Sequence, residues 1–115
     1  MPSTPSVPPA QELLAALERY ALHVARLTGR WTDSALYNTV SQDADAVRLA
    51  CRPHPDLACA WVSLLISHAE LMHALWQAPG MPSEAGAAQR RRLLAKVQEE
   101  VRALQALGMR RDGRC

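Results

Sequence analysis

The stretch Leu57–Trp76, LACAWVSLLISHAELMHALW, decides the reading of this chain, because fifteen of its twenty residues are apolar. Three other segments show a helical pattern with one apolar stripe each. This one is apolar on nearly every side, with His68 near its middle. A helix that is hydrophobic all round is normally surrounded by other elements. In so short a chain, part of that surround can come from a second chain. A run of about 20 residues would also span a bilayer. However, His68, Glu70 and His73 lie inside it, and ionisable groups are costly in hydrocarbon. The expectation is therefore a protein with no membrane partner.

The 115 residues leave room for one domain and no second core. Such a chain buries roughly two-thirds of its unfolded surface, enough for an independent fold. Hydrophobic residues make up 49% of the sequence, alanine and leucine dominate, and there is no Phe, a balance that favours helix. A net charge of +2 is too mild to point to nucleic acid by itself. Cys51, Cys59 and Cys115 make an odd count. The opening MPSTPSVPP has neither the basic nor the apolar region of a secretory signal. A reducing, cytoplasmic setting is expected.

Residues 1–9 carry four prolines among Ser and Thr and read as a disordered lead-in to a single helical domain over 10–109, followed by a basic tail over 110–115. The first helix runs from about Pro9 to Thr28. Leu13, Leu17, Tyr20, Val24 and Leu27 form its stripe, and Gly29 serves as a stop. The second runs from about Asp33 to Arg52, with Thr32 or Asp33 as N-cap. Its stripe is Leu36, Val40, Ala44, Val47 and Cys51, with Asp43 at the edge, and Pro53 and Pro55 end it. The third follows from Pro55 to about Gln77. The segment APGMPS breaks the chain, with Ser83 as a plausible cap for the fourth helix. That helix carries Leu93 or Leu94, Val97, Val101, Leu104 and Leu107, and Gly108 is read as its stop.

Four helices of about 20 residues with short connections predict an all-α, up-down-up-down bundle in which sequential helices are neighbours. An open helical hairpin completed by dimerisation fits the same pattern.

Pairing the second and third helices about the proline loop sets His68 level with Val40 and one turn from Asp43, and the first helix brings Tyr20 to that level. A polar cluster of Tyr20, Asp43 and His68 is thus attainable, in which Asp43 would fix the imidazole tautomer. It reads either as a ligand-gripping or proton-handling site, or as a satisfied core histidine. Glu70-Leu71-Met72-His73 is half of a di-iron carboxylate motif, but that chemistry needs two such halves. Cys51, His54 and Cys59 lack the fourth ligand that a zinc site wants, so no metal and no cofactor are expected. A Cys51–Cys59 disulfide is conceivable in an oxidising setting. Arg90, Arg91, Arg92, Lys96, Arg110, Arg111 and Arg114 cluster positive charge late in the chain. No recognition module accompanies them, and Glu99 and Glu100 interrupt the face, so nucleic acid is not the expected partner. There is no nucleophile elbow and no phosphate loop.

The apolar surplus remains. With Leu64 at 0° and 100° per residue, Leu57, Trp61, Leu71 and Leu75 fall between about −20° and 60°, and Leu65, Met72 and Trp76 extend the buried stripe to about 120°. Val62 and Ile66 lie near 160° and 200°, where a four-helix monomer is open to solvent. Together with Cys59, Ala69, His73 and Trp76 they form a candidate partner-binding face. The sequence therefore points to a non-enzymatic protein-interaction module that self-associates as a homodimer and occludes a partner protein. Bacterial antiactivators and secretion chaperones share this size and class, and no motif ties the chain to either. The alternative is an enzyme or small-ligand binder built on Tyr20, Asp43 and His68.

Overall fold

Proline placement and one aspartate cap set the ends of the helices. The computed structural model describes residues 9–77 and 84–113. α1 spans Pro9–Gly29, α2 Ser34–Cys51, α3 Ala58–Trp76 and α4 Glu84–Gly113, and the described residues contain no strand. Pro9 opens α1, where a missing N–H is no loss. Asp33 caps α2, its side chain accepting from the Leu36 N–H at 3.1 Å. Pro53 and Pro55 stop α2, and Pro55–Leu57 forms a 3-10 turn that leads into α3. The proline-rich residues 1–8, the APGMPS break with Ser83, and Arg114 and Cys115 lie outside the described residues.

α1 is the spine. Leu13, Ala16, Leu17, Tyr20, Val24 and Leu27 are all buried along it. α1 packs against α2 on one side and α4 on the other, and α4 packs against α3. Val40, Val47 and Cys51 from α2, Leu57, Leu64, Leu71 and Leu75 from the third segment, and Val97, Val101 and Leu104 from α4 complete one core.

Two expectations are corrected. First, sequential helices are not all neighbours, since α2 and α3 barely meet. The cause is the roll of α3. Its buried residues are Leu64, Ser67, Leu71, Ala74 and Leu75, centred about 50° away from the anticipated stripe and turned from α2 towards α4. The small Ser67 lets α4 approach and donates to Glu100 Oε2 at 3.5 Å, while Lys96 Nζ lies 3.5 Å from Glu70 Oε1. Leu65 and Trp76, expected on the buried stripe, are 44% and 75% exposed, and Trp61 and Met72 are half-buried. Second, α4 does not stop at Gly108 but runs to Gly113, through Arg110 and Arg111 of the expected tail. Gly108 is buried, and a Cβ there would sit 3.3 Å from Leu14 Cδ2 and 3.4 Å from Leu13 Cδ2. It therefore serves close packing of α4 on α1 rather than termination.

The described chain measures 56 × 28 × 17 Å. The 30 residues of α4 account for most of the length, at about 1.5 Å per residue. The flattened cross-section follows from the order α2, α1, α4, α3 around a ring left open between its ends.

Candidate functional site

The open edge between α2 and α3 is a groove. Its middle stretch is a cleft of about 420 Å³, lined by Tyr37, Val40 and Ser41 from α2 and by His68, Met72 and Trp76 from α3. A second cleft of about 400 Å³ continues it past Ser41 and His68 to Ala44, Arg48, Trp61 and Leu65. A third, of about 390 Å³, extends the other end to Trp31 and Leu75. The side chains from α3 follow from its roll: Trp61, Leu65, His68, Met72 and Trp76 recur at helical spacing on the flank that faces away from α4. Tyr37 and Trp76 meet edge-to-face across the groove, with ring centroids 6.2 Å apart. From Trp61 to Trp76 the groove is about 22 Å long, or four helical turns.

His68 stands where the two main clefts meet. Tyr20 from α1 lies beneath it, with its hydroxyl 2.8 Å from His68 Nδ1. Burial pushes the Tyr20 phenol well above its ordinary pKa, so it keeps its proton. Burial also lowers the pKa of His68, which favours the neutral ring. Tyr20 has no other acceptor among the described residues, so its O–H donates to Nδ1. The imidazole then carries its own hydrogen on Nε2. That Nε2–H has no protein acceptor among the described residues, and the ring lines both clefts. Below it, Tyr20, Ala44, Val47, Trp61 and Leu64 leave a void of only about 10 Å³.

The anticipated three-residue cluster is divided in two. Tyr20 and His68 come together, but Asp43 turns to α1, where His23 Nδ1 donates to its Oδ2 and Arg19 Nε lies 4.0 Å from Oδ1. Asp43 therefore does not set the tautomer of His68; Tyr20 does. Sequence reasoning missed His23. The available signal was its position one turn from Tyr20, on the flank of α1 that must face the Asp43 edge of α2.

Val62 is 47% and Ile66 55% exposed on the far side of α3 from the core. Cys59, Ala69, His73 and Trp76 are exposed on the same side. The segment Pro55–Trp76 is long and apolar enough to cross a bilayer by composition alone, with a mean hydropathy of 1.3 and 28% of that window buried. Cys51 is buried, Cys59 is exposed, and the two thiols are free. Among the described residues no three of His, Cys, Asp and Glu converge on a point that could hold a metal. Arg90 is half-buried, Arg91 and Arg92 are exposed, and Lys96 is engaged by Glu70.

These features define an all-α bundle of four helices with one edge open. The chain matches no protein-family model, no curated protein and no solved structure.

Proposed function

We propose that this protein is a non-enzymatic interaction module that takes up an amphipathic helix of another protein in the α2–α3 groove and occludes it. The observation that carries this reading is the parting of α2 from α3, which leaves 420 and 400 Å³ clefts in series where a closed bundle would have helix-on-helix contact. A helix laid there would occupy the missing packing position. The chemistry of the groove narrows the occupant. Its apolar lining of Trp, Tyr, Met, Val and Leu suits an apolar stripe, and Asn38, Ser41, Gln42 and His73 add polar groups beside it. The charged pair on its rim is self-neutralised, since Arg48 Nη2 lies 2.6 Å from Asp45 Oδ1. The occupant therefore needs no particular charge. In the middle, the His68 Nε2–H calls for one acceptor, so the partner stripe is interrupted once by a residue such as Gln or Asn. Regulators that mask a helix of a transcription factor or of a secreted subunit work by such occlusion.

The test uses two helical peptides of about fifteen residues, one with an unbroken leucine stripe and one with Gln at the central stripe position. Binding is read by the fluorescence of the groove tryptophans. The Gln peptide is expected to bind about tenfold more tightly, a difference of about 1.4 kcal/mol. Ser41→Trp, a substitution at an exposed position that fills the groove, should abolish binding of both. High salt should leave affinity unchanged. Equal affinity of the two peptides, or binding that survives Ser41→Trp, would remove the groove from the account. An affinity that collapses with salt would favour the basic face of α4 and a nucleic acid. Binding of small apolar molecules with neither peptide bound would favour the ligand-pocket alternative.

A further inference from the structure

The side of α3 opposite the core carries a pattern that its composition hides. Cys59, Val62, Ile66, Ala69, His73 and Trp76 are spaced 3, 4, 3, 4 and 3 residues apart, and every one of them is exposed. That is the seam of a two-helix coiled coil, lying directly behind the buried Leu64 and Leu71. Cys59, Val62, Ile66 and Ala69 lie clear of the groove, whereas His73 and Trp76 stand on its lip and also line the cleft between α2 and α3.

From this seam we infer that α3 pairs with α3 of a second copy of this chain, antiparallel, about a two-fold axis passing between Ile66 and Ala69. The order of side-chain sizes carries the assignment. In that register Ile66 meets the partner's Ala69, Val62 meets the partner's His73, and Cys59 meets the partner's Trp76. Each layer sets a larger side chain against a smaller one, and the two-fold axis repeats the match. A parallel, in-register pair would instead stack Trp76 on Trp76 and Ala69 on Ala69, giving overfilled and empty layers in alternation. The flanking positions agree. Leu65 falls beside the partner's Met72 on one edge, and the Ser63 hydroxyl can donate to the partner's Glu70 carboxylate on the other. No like charges are opposed. The contact is isologous and closes after two subunits. One helix pair is at the small end of specific interfaces, so the dimer is a reversible one.

The experiment is sedimentation of the full chain across a concentration series, with circular dichroism as the check on folding. Wild type should shift from monomer to dimer. Ile66→Asp should stay helical and weaken association about a hundredfold, because each seam would bury an unpaired carboxylate. Ile66→Ala and Ala69→Ile should each weaken association about tenfold, one by leaving a hole and the other by opposing two large side chains. The double variant Ile66→Ala/Ala69→Ile exchanges the two sizes across the same layer and should return to wild-type association. A monomeric wild type, or a double variant weaker than both singles, overturns the antiparallel register. Uptake onto phosphatidylcholine vesicles in place of dimer formation would assign the seam to a lipid surface. Ile66→Asp, which lies outside the groove lining, should leave peptide uptake by the groove unchanged, so failure of the groove reading and failure of the seam reading are told apart.

Discussion

The α1–α4 side and the α2–α3 side of this molecule are assembled from different kinds of residue. α1 and α4 bring Leu13, Leu17, Val24, Val97, Val101 and Leu104 to the shared core, all buried, and Gly108 lies against Leu13 and Leu14. Between α2 and α3 stand Tyr37, Trp61, Leu65, His68, Met72 and Trp76, all half-buried or exposed. Branched aliphatic side chains in a closed seam fix one packing arrangement. Aromatic and methionine side chains on an open edge keep both apolar area and adaptability for something that arrives later. One side holds the fold, and the other is free to change its contacts without undoing it.

The largest expected effect is therefore on the closed side. Leu17→Ala, at a fully buried position, should cost about 2–5 kcal/mol through lost burial and a residual cavity. Leu65→Ala, on the open edge, should change stability by no more than about 0.5 kcal/mol. Urea midpoints measured at unchanged slope check both. If the two substitutions cost the same, the open edge is part of the cooperative core and the contrast fails.

The Tyr20–His68 pair joins the two sides, and its substitutions should fall between those extremes. His68→Leu strands the buried Tyr20 hydroxyl and should cost about 1–3 kcal/mol. Tyr20→Phe leaves an imidazole that can still reach water in the groove, so about 0.5–1.5 kcal/mol is expected. Removing both polar groups together should cost less than the sum. The pair also carries a pH dependence. The folded pKa of His68 lies below the ordinary 6.5 because burial disfavours the charged ring. The unfolded chain binds the proton more readily, so stability falls as pH drops through 6.5 towards the folded pKa and levels off beneath it. His68→Asn keeps an acceptor for Tyr20 without ionising and should flatten that part of the profile. A slope that persists in His68→Asn would assign the titration to another group.

The contrast between the two sides was only partly legible in the sequence. The helices, the Asp33 cap and the buried stripes of α1, α2 and α4 follow from 3.6-residue periodicity and proline placement, which are local. The roll of α3 is not local. With apolar residues all round, periodicity offers several equally good buried stripes, and the one used sets the small Ser67 of α3 against Glu100 of α4 and Glu70 of α3 near Lys96 of α4. The groove depends on that choice, so it could not be read from the chain alone. The meeting of Tyr20 with His68 was within reach, because both lie at the level set by the proline turn. The turn of Asp43 to His23 left a weaker signal, the place of His23 one turn from Tyr20, because it also depends on which flank of α2 faces α1.

The smallest effect tests how tightly the closed side is closed. Gly108→Ala should gain close to 1 kcal/mol from helix propensity. Against this, the added methyl would lie 3.3 Å from Leu14 Cδ2, the far end of a half-buried, movable side chain, and 3.4 Å from Leu13 Cδ2, which is ordinary contact. Leu14 can give by a few tenths of an ångström, so a net gain below about 1 kcal/mol is expected from thermal or urea unfolding. Gly108→Leu has no such room and should cost about 1–3 kcal/mol by overpacking. If alanine also destabilises, Leu13 and Leu14 are held too firmly to yield. The α1–α4 seam would then be the rigid frame against which the α2–α3 edge opens.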